Sequence, residues 1–326
     1  MTPRASVVVP THGRPALLRE CLRRLARQDV PHADYEVIVV DDGSPPPVNA
    51  ENAAVVQRLS RSYPKLAIHY LWSARNRGPA AARNSGWRKA RAAVIAFTDD
   101  DTRPARAWLR NGLAALEGRE AVAGRIVVPL PDEPTDYERD TAGLERASFV
   151  TANAFVRKSV LESVGGFDER YLIAWREDAD LEFALRERGA RIGRAPGAVV
   201  VHPVRPARWG VSIAQQKKVV FDALLYKKHP RDYRASIRPV PPWDYYAATG
   251  ALVGFVVALA QRNVPAAIVG ALLWSAITAN FCRRRLAGTR KSASHVLEMI
   301  ATSALIPPVS VFWRLAGAWR WRVLFL

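Results

Sequence analysis

Cysteine is scarce: the 326 residues hold two, Cys21 and Cys282, far apart and in no metal-ligand spacing. That excludes a disulfide scaffold and a thiolate metal site, and it fits a reducing compartment. Both cysteines read as small buried apolar side chains. The N-terminal stretch does not read as a signal peptide. The first apolar run, Val7–Val9, is far shorter than the roughly 7–15 residues of an apolar signal core, so the domain that begins there is expected to stay in the cytoplasm. There is no internal repeat and no low-complexity tract. An apolar share of 49% excludes a wholly disordered chain. Acidic residues are thinnest towards the C-terminus, where residues 239–326 hold two Asp and Glu against nine Lys and Arg. The net charge of +18 suits nucleic acid, phosphate-bearing substrates or an anionic membrane surface. Nucleic acid would call for aromatic stacking platforms, which residues 1–238 lack.

What is present begins as alternating strands and helices. Ser6–Pro10, Glu36–Val40 and Ala93–Phe97 are short and almost wholly apolar, as in strands buried on both faces of a parallel sheet. Between the first two, Leu17, Leu18, Cys21, Leu22 and Leu25 share one helical face, with arginines opposite. Pro79–Ala92, Ala105–Glu117, Arg157–Val164 and Glu177–Arg188 also predict helices, the last stopped by Gly189. The stretch from Gly118 to Tyr171 reads otherwise as strand plus loop. Ala198–Val201 reads as a short strand ending at His202, and Val211–Tyr226 as an amphipathic helix. This order predicts an α/β, doubly wound, Rossmann-like domain over residues 1–238.

Residues 239–326 read as a C-terminal membrane region. From Tyr245 to Cys282 the only charged residue is Arg262, which divides the stretch into helices over 245–261 and 263–282. Spans need about 17–25 apolar residues, so a helical membrane hairpin is expected. Gly250, Gly254 and Gly270 would permit close helix packing. Arg283–Lys291 carries five cations and reads as a cytoplasmic loop. An N-terminal domain in the cytoplasm followed by two spans returns that loop to the same side. Beyond it, Val296–Ile306 is apolar and Pro307–Pro308 is expected to break it. Val309–Leu326 interleaves Trp and Arg, which suits a helix lying at the interface; a third span or a packed amphipathic helix over 295–326 is the alternative.

Polar motifs stand where the predicted strands end, the edge at which open α/β sheets bind ligands. They are Pro10-Thr11, Asp41-Asp42-Gly43-Ser44 and Thr98-Asp99-Asp100-Asp101. Adjacent carboxylates repel unless a cation is near, and hard oxygens suit Mg²⁺ or Mn²⁺; a solvated acidic turn is the plainer alternative. Asn76 to Gly86 leads into a helix whose N-terminus offers N–H groups to an anion, with Arg83 within reach of a phosphate or a carboxylate, or simply on the surface. Glu177-Asp178 opens another helix, as a cap or as a proton acceptor. His202, at a strand end, is either structural or a metal ligand.

These motifs, in this order and spacing, resemble glycosyltransferase family 2, the inverting enzymes of the GT-A fold. The resemblance runs from Ser6 to about Val204 through SVVVPTHGRPALLRECLRRLARQ, EVIVVDDGS, NRGPAAARNSGWRKA, AVIAFTDDDTRP and GGFDERYLIAWREDADLEFALRERG. It implies that Pro10 and Thr11 line a nucleoside pocket, Asp42 bonds the base, and Asn76 and Arg83 lie at the donor. It implies that Asp99 faces the ribose or the metal, Asp101 binds Mn²⁺ or Mg²⁺ at the diphosphate, Asp178 is the general base and His202 completes the metal site. The partners implied are a nucleotide-sugar donor, an acceptor glycan or lipid-linked acceptor of the cell envelope, and membrane lipid. The expected location is the cell membrane with the catalytic domain cytoplasmic. Other readings are a non-catalytic nucleotide-sugar-binding membrane protein and a nucleotidyltransferase. The second would carry a Gly-rich basic loop after its first strand, where Thr11-His12-Gly13-Arg14-Pro15 has one Gly.

Overall fold

A computed structural model describes residues 2–326. The chain forms two compact units, one of residues 1–129 and 142–204, the other of residues 130–141 and 205–326.

The first unit is built on one sheet. Its strands are β1 (Ala5–Thr11), β2 (Tyr35–Asp42), β3 (Ala67–Ser73), β4 (Val94–Thr98), β5 (Arg103–Pro104), β6 (Ala121–Val127), β7 (Asn153–Arg157) and β8 (Ile192–Val201). Their order is β3-β2-β1-β4-β7-β6-β8-β5. β1 pairs in parallel with β2 and β4, and β2 with β3, so the carboxyl ends of all four open on one edge. β7 then inserts antiparallel between β4 and β6. The three apolar runs of the sequence are β1, β2 and β4, with Val7, Val8, Val37, Ile38, Ile95 and Phe97 fully buried. The Rossmann-like α/β reading holds for this half of the sheet.

The strands that escape a sequence reading have physical reasons to do so. β3 is an edge strand with no fully buried residue, and its His69, Tyr70 and Ser73 dilute the apolar signal. β6 and β7 are the strand content of the irregular middle. β8 starts at Ile192 rather than Ala198. Its register against β6 jumps between Gly124 and Arg125, opposite the stretch holding Pro196, because a proline cannot donate to the ladder.

Helices α1 (Pro15–Leu25), α2 (Val48–Ser62), α3 (Pro79–Lys89) and α4 (Trp108–Ala115) come after the first strands. After α5 (Asp136–Thr141), which belongs to the second unit, come α6 (Lys158–Val164) and α7 (Glu177–Glu187). The start of α3 is shaped by Gly78, at φ 90° and ψ 165°, a region open essentially to glycine alone. A Cβ there would also stand 2.6 Å from the Leu172 carbonyl oxygen. Gly78→Ala combines backbone strain with overpacking against main chain, each about 1–3 kcal/mol. We expect a loss of about 2–4 kcal/mol in chemical denaturation followed by circular dichroism; an unshifted midpoint would mean that the loop relaxes freely.

The second unit holds α8 (Val211–Gln215), α9 (Val219–Lys228), a one-turn α10 (Pro230–Asp232) and three long helices, α11 (Trp243–Ala260), α12 (Val264–Leu286) and α13 (Ala293–Trp321). All three are long and apolar enough to cross a membrane, with mean hydropathies of 1.3, 1.6 and 1.5. Gly270 does permit a close approach, since a Cβ there would lie 2.9 Å from the Phe255 nitrogen, whereas Gly250 and Gly254 face open space.

Two expectations are corrected by these helices. Arg283, Arg284 and Arg285 are not loop residues but the last turn of α12, where cations oppose the negative end of the helix dipole. Pro307–Pro308 does not break the apolar tail: α13 runs straight through the pair. Helices of membrane type tolerate proline when neighbouring groups satisfy the freed backbone. The Trp and Arg of the tail also divide between faces. Arg314 is buried, with its guanidinium 4.1 Å from the Phe325 ring, while Trp319 is 87% exposed.

Candidate active site

The acidic cluster comes after β4 as a tight turn. The Thr102 N–H donates to the Asp99 carbonyl, as does its hydroxyl at 2.8 Å, and Thr98 and Thr102 share a hydroxyl contact of 2.7 Å. The turn separates three carboxylates that would otherwise repel. Asp100 points inward, accepting from the Thr11 hydroxyl at 2.7 Å and from Arg14 Nη1 at 3.0 Å. Burial pushes its carboxyl up to about 7; Arg14 opposes the rise, and Asp101 and Asp99 add to it. The middle acid is therefore a support under the other two, and Arg14 belongs to the site though the motif alone gives it no role.

Asp99 and Asp101 meet His202, and one ligand atom from each lies within 4.8 Å of the others. Topology explains how residues 101 apart in sequence come together. The chain leaves the turn as β5 and pairs antiparallel with β8, Arg103 opposite Val201, so the next residue of β8 arrives beside the acids. His202 Nε2 is 3.5 Å from Asp101 Oδ1, and the buried Nδ1 has no hydrogen-bond partner among the described residues. Two hard oxygens and an imidazole with an orphaned nitrogen fit a divalent cation such as Mn²⁺ or Mg²⁺.

Arg83 lies almost wholly buried between two acids, with Nη2 at 2.8 Å from Asp99 and Nη1 at 3.1 Å from Glu177. Burial pushes the Asp99 carboxyl up, but Arg83, His202 and Arg14 together hold it below the usual range. The guanidinium thus ties the β4 turn to the start of α7. Breaking a buried ion pair from one side typically costs about 3–5 kcal/mol. We expect Arg83→Met to lose about that much in thermal or chemical denaturation, and a loss under about 1 kcal/mol would show the pair to be well hydrated.

Asp178 sits in the first turn of α7. The residue in the cap position is Arg176, at φ 74°, and its side chain makes no cap hydrogen bond. The Asp178 carboxylate instead accepts from the Thr151 hydroxyl. Burial raises its pKa against the pull of Arg83 and Thr151. Burial raises Glu177 as well, aided by the Asp178 charge and opposed by Arg83. Asp180 turns away to the Tyr171 hydroxyl at 3.2 Å.

At the end of β2 the two aspartates have separate tasks. Asp41 accepts from the Ser44 N–H at 2.9 Å, Asn52 at 2.8 Å and the Tyr70 hydroxyl at 2.6 Å. Asp42 accepts from the backbone N–H groups of Arg77 at 2.9 Å and Gly78 at 2.7 Å, which pins the loop before α3. Asn76 is exposed on that loop, its carbonyl accepting from the Gly78 N–H at 3.1 Å. Pro10 is half-buried and Thr11 buried beneath the acidic turn.

The sequence matches Glycosyl transferase family 2 over residues 6–167 and Glycosyl transferase family group 2 over residues 135–316. Glycosyltransferase AglE of Haloferax volcanii is 29% identical over 217 residues, covering 63% of this chain and 68% of its own. Pre-mycofactocin glycosyltransferase of Mycobacterium tuberculosis is 30% identical over 217 residues, covering 61% of this chain; the match spans only 43% of that longer protein. Among solved structures, a mannosyltransferase from Pyrobaculum calidifontis in complex with GDP-Man and Mn²⁺ shares the fold at a TM-score of 0.60 and 22% identity, over 98% of this chain and 88% of its own. The family matches together run from residue 6 to residue 316, and the chain belongs to glycosyltransferase family 2, the nucleotide-sugar glycosyltransferases of the GT-A fold.

Proposed function

We propose that the protein transfers a sugar from a nucleotide-diphosphate sugar to an acceptor hydroxyl with inversion at the anomeric carbon, on a lipid-linked or cell-envelope acceptor. The observation that carries this reading is the meeting of Asp99, Asp101 and His202 within 4.8 Å, with Arg83 joining Asp99 to the helix turn that holds Asp178.

Asp101, Asp99 and His202 would hold Mn²⁺ or Mg²⁺. When bound there, the cation supplies positive charge to a diphosphate leaving group, which then needs no proton. The chain does the rest. Pro10, Thr11 and Asn76 line the nucleotide side of the cleft. Asp42, whose carboxylate holds the Arg77 and Gly78 N–H groups, and Arg83, whose two Nη atoms hold Glu177 and Asp99, act on the donor by fixing the loop before α3 and the β4 turn. Asp178 takes the acceptor proton as that oxygen forms its bond to C1 and the C1–O bond to the diphosphate breaks on the opposite face. A single displacement inverts the centre, so no pair of carboxylates flanking the bond is required.

The catalytic unit is proposed to face the cytoplasm. Among the described residues no long apolar helix precedes α11, and Arg283, Arg284, Arg290 and Lys291 cluster at and after the end of α12, on the side from which α11 departs if both helices span. Helices of this kind bring the enzyme to acceptors that reside in the membrane. The test is a screen of nucleotide sugars with the full chain in detergent, with and without Mn²⁺, followed by the anomeric configuration of the product by NMR. Inverted product formed on a lipid-extractable acceptor is the expected result; retained configuration overturns the displacement, and transfer only to soluble sugars overturns the acceptor class.

A further inference from the structure

Within the second unit, α12 and α13 leave an open groove of about 690 Å³ between them. Two adjacent rows of α12 form its floor: Trp274, Thr278 and Cys282 on one, Ser275, Ala279 and Arg283 on the next, each at i,i+4 spacing. Ile300 and Ala304 of α13 form the facing wall, and Lys291 stands at the mouth. The lining changes character along the helix, from apolar and small near Trp274 to cationic near Arg283 and Lys291.

Its depth fits one leaflet. Trp274 lies 12 residues before Leu286, a rise of about 18 Å along the helix. Half of a bilayer's hydrocarbon core is about 15 Å. A groove whose apolar end reaches the midplane and whose cationic end reaches the headgroups matches a lipid in both length and polarity.

The cations at the mouth are not used internally. Of the five in residues 283–291, Arg284 pairs with Asp244 at 2.9 Å and Arg285 with Asp136 at 2.7 Å. Arg283 meets only the Asn280 side-chain carbonyl, at 3.0 Å, and Lys291 only the Leu286 backbone carbonyl. Neither has a carboxylate partner among the described residues. Two positive charges line the groove at headgroup depth, beside Arg284 and Arg285 that are already neutralised, and they call for an anion; Arg290, also without a carboxylate partner among the described residues, does not line the groove.

We infer that this groove is a binding site for an anionic phospholipid of the surrounding bilayer, with an acyl chain along α12 and its phosphodiester between Arg283 and Lys291. The inference stands on insertion of α12 and α13 in a membrane and not on the sugar-transfer reading, so it is tested without turnover.

The experiment titrates the full chain in detergent with dioleoylphosphatidylglycerol or dioleoylphosphatidylcholine and reads the first bound lipid by native mass spectrometry. Each basic residue at a membrane surface favours an anionic lipid by about fivefold, so wild type is expected to prefer phosphatidylglycerol by roughly thirtyfold. Arg283→Gln with Lys291→Gln should bring the two lipids within about threefold. Arg283→Lys should keep most of the preference, which guards against misfolding as the cause. Ala304→Phe, which fills the groove, should weaken both lipids together. Equal binding of the two lipids by wild type, or a preference that survives the double substitution, overturns the site. Displacement of phosphatidylglycerol by equimolar undecaprenyl phosphate overturns the occupant and assigns the groove to a polyprenyl carrier.

Discussion

Asp178→Asn is expected to lower transfer by about 10²–10⁴-fold, the usual contribution of acid–base catalysis, while donor affinity stays near that of wild type. Asparagine keeps the size of the side chain, and its carbonyl still accepts from the Thr151 hydroxyl, so the first turn of α7 keeps its shape. It cannot take a proton. The plainer role for an acid at a helix start, a cap, is not the one found: the cap position belongs to Arg176, whose side chain makes no cap hydrogen bond, and the Asp178 carboxylate is engaged by Thr151. Stability should therefore be nearly unchanged in the Asn variant. The pH dependence gives a second handle. Burial holds the Asp178 carboxyl above the ordinary aspartate range, and the base works only when ionised. Transfer should fall as pH drops through that raised value, and the Asn variant should lose this acid limb along with its rate. Steady-state kinetics across pH, with donor affinity by calorimetry, checks both. Turnover near that of wild type would move the base to Glu177 or Asp180.

The parallel half of the fold was legible because burial on both faces leaves unbroken apolar runs: β1, β2 and β4 are such runs, and the polar residues ending them mark the ligand edge. The edge strand β3 and the first part of β8, before Ala198, were not, because neither alternates nor stays apolar for long. The acids of the site were visible as residue types at strand ends. Their division of labour was not. Nothing in Asp99-Asp100-Asp101 says that the middle carboxylate turns inward to Thr11 and Arg14, the latter contact spanning 86 residues. Nor does the motif around Arg83 say that its two Nη atoms go to Glu177 and Asp99. A sequence shows the charges; the pairing of buried charges depends on which strands lie side by side. The α13 helix shows the opposite failure. A rule learned from water, that paired prolines end a helix, does not hold where neighbouring helices replace solvent.

Asp101→Ala is expected to reduce transfer by about 10³-fold or more, at or beyond the upper end of what one preorganised electrostatic group contributes. The substitution removes one of two hard oxygens and leaves Asp99 and His202, too few to hold a divalent cation tightly. The fold should survive. Arg14 lies 3.5 Å from Asp101 but 3.0 Å from Asp100, so its stronger partner remains. The neighbouring position separates binding from support. Asp100→Ala takes away the acceptor for Thr11 and Arg14, and it should cost stability by about 1–3 kcal/mol, the penalty for buried groups left unpaired. Denaturation curves of the two variants, beside transfer rates titrated with Mn²⁺, distinguish these roles. Asp101→Ala should melt like wild type, and added Mn²⁺ should restore activity only at concentrations far above those wild type needs. Full activity of the wild-type enzyme in EDTA would remove the cation from the reaction, and the cluster of Asp99, Asp101 and His202 would then be a structural contact between the β4 turn and the end of β8.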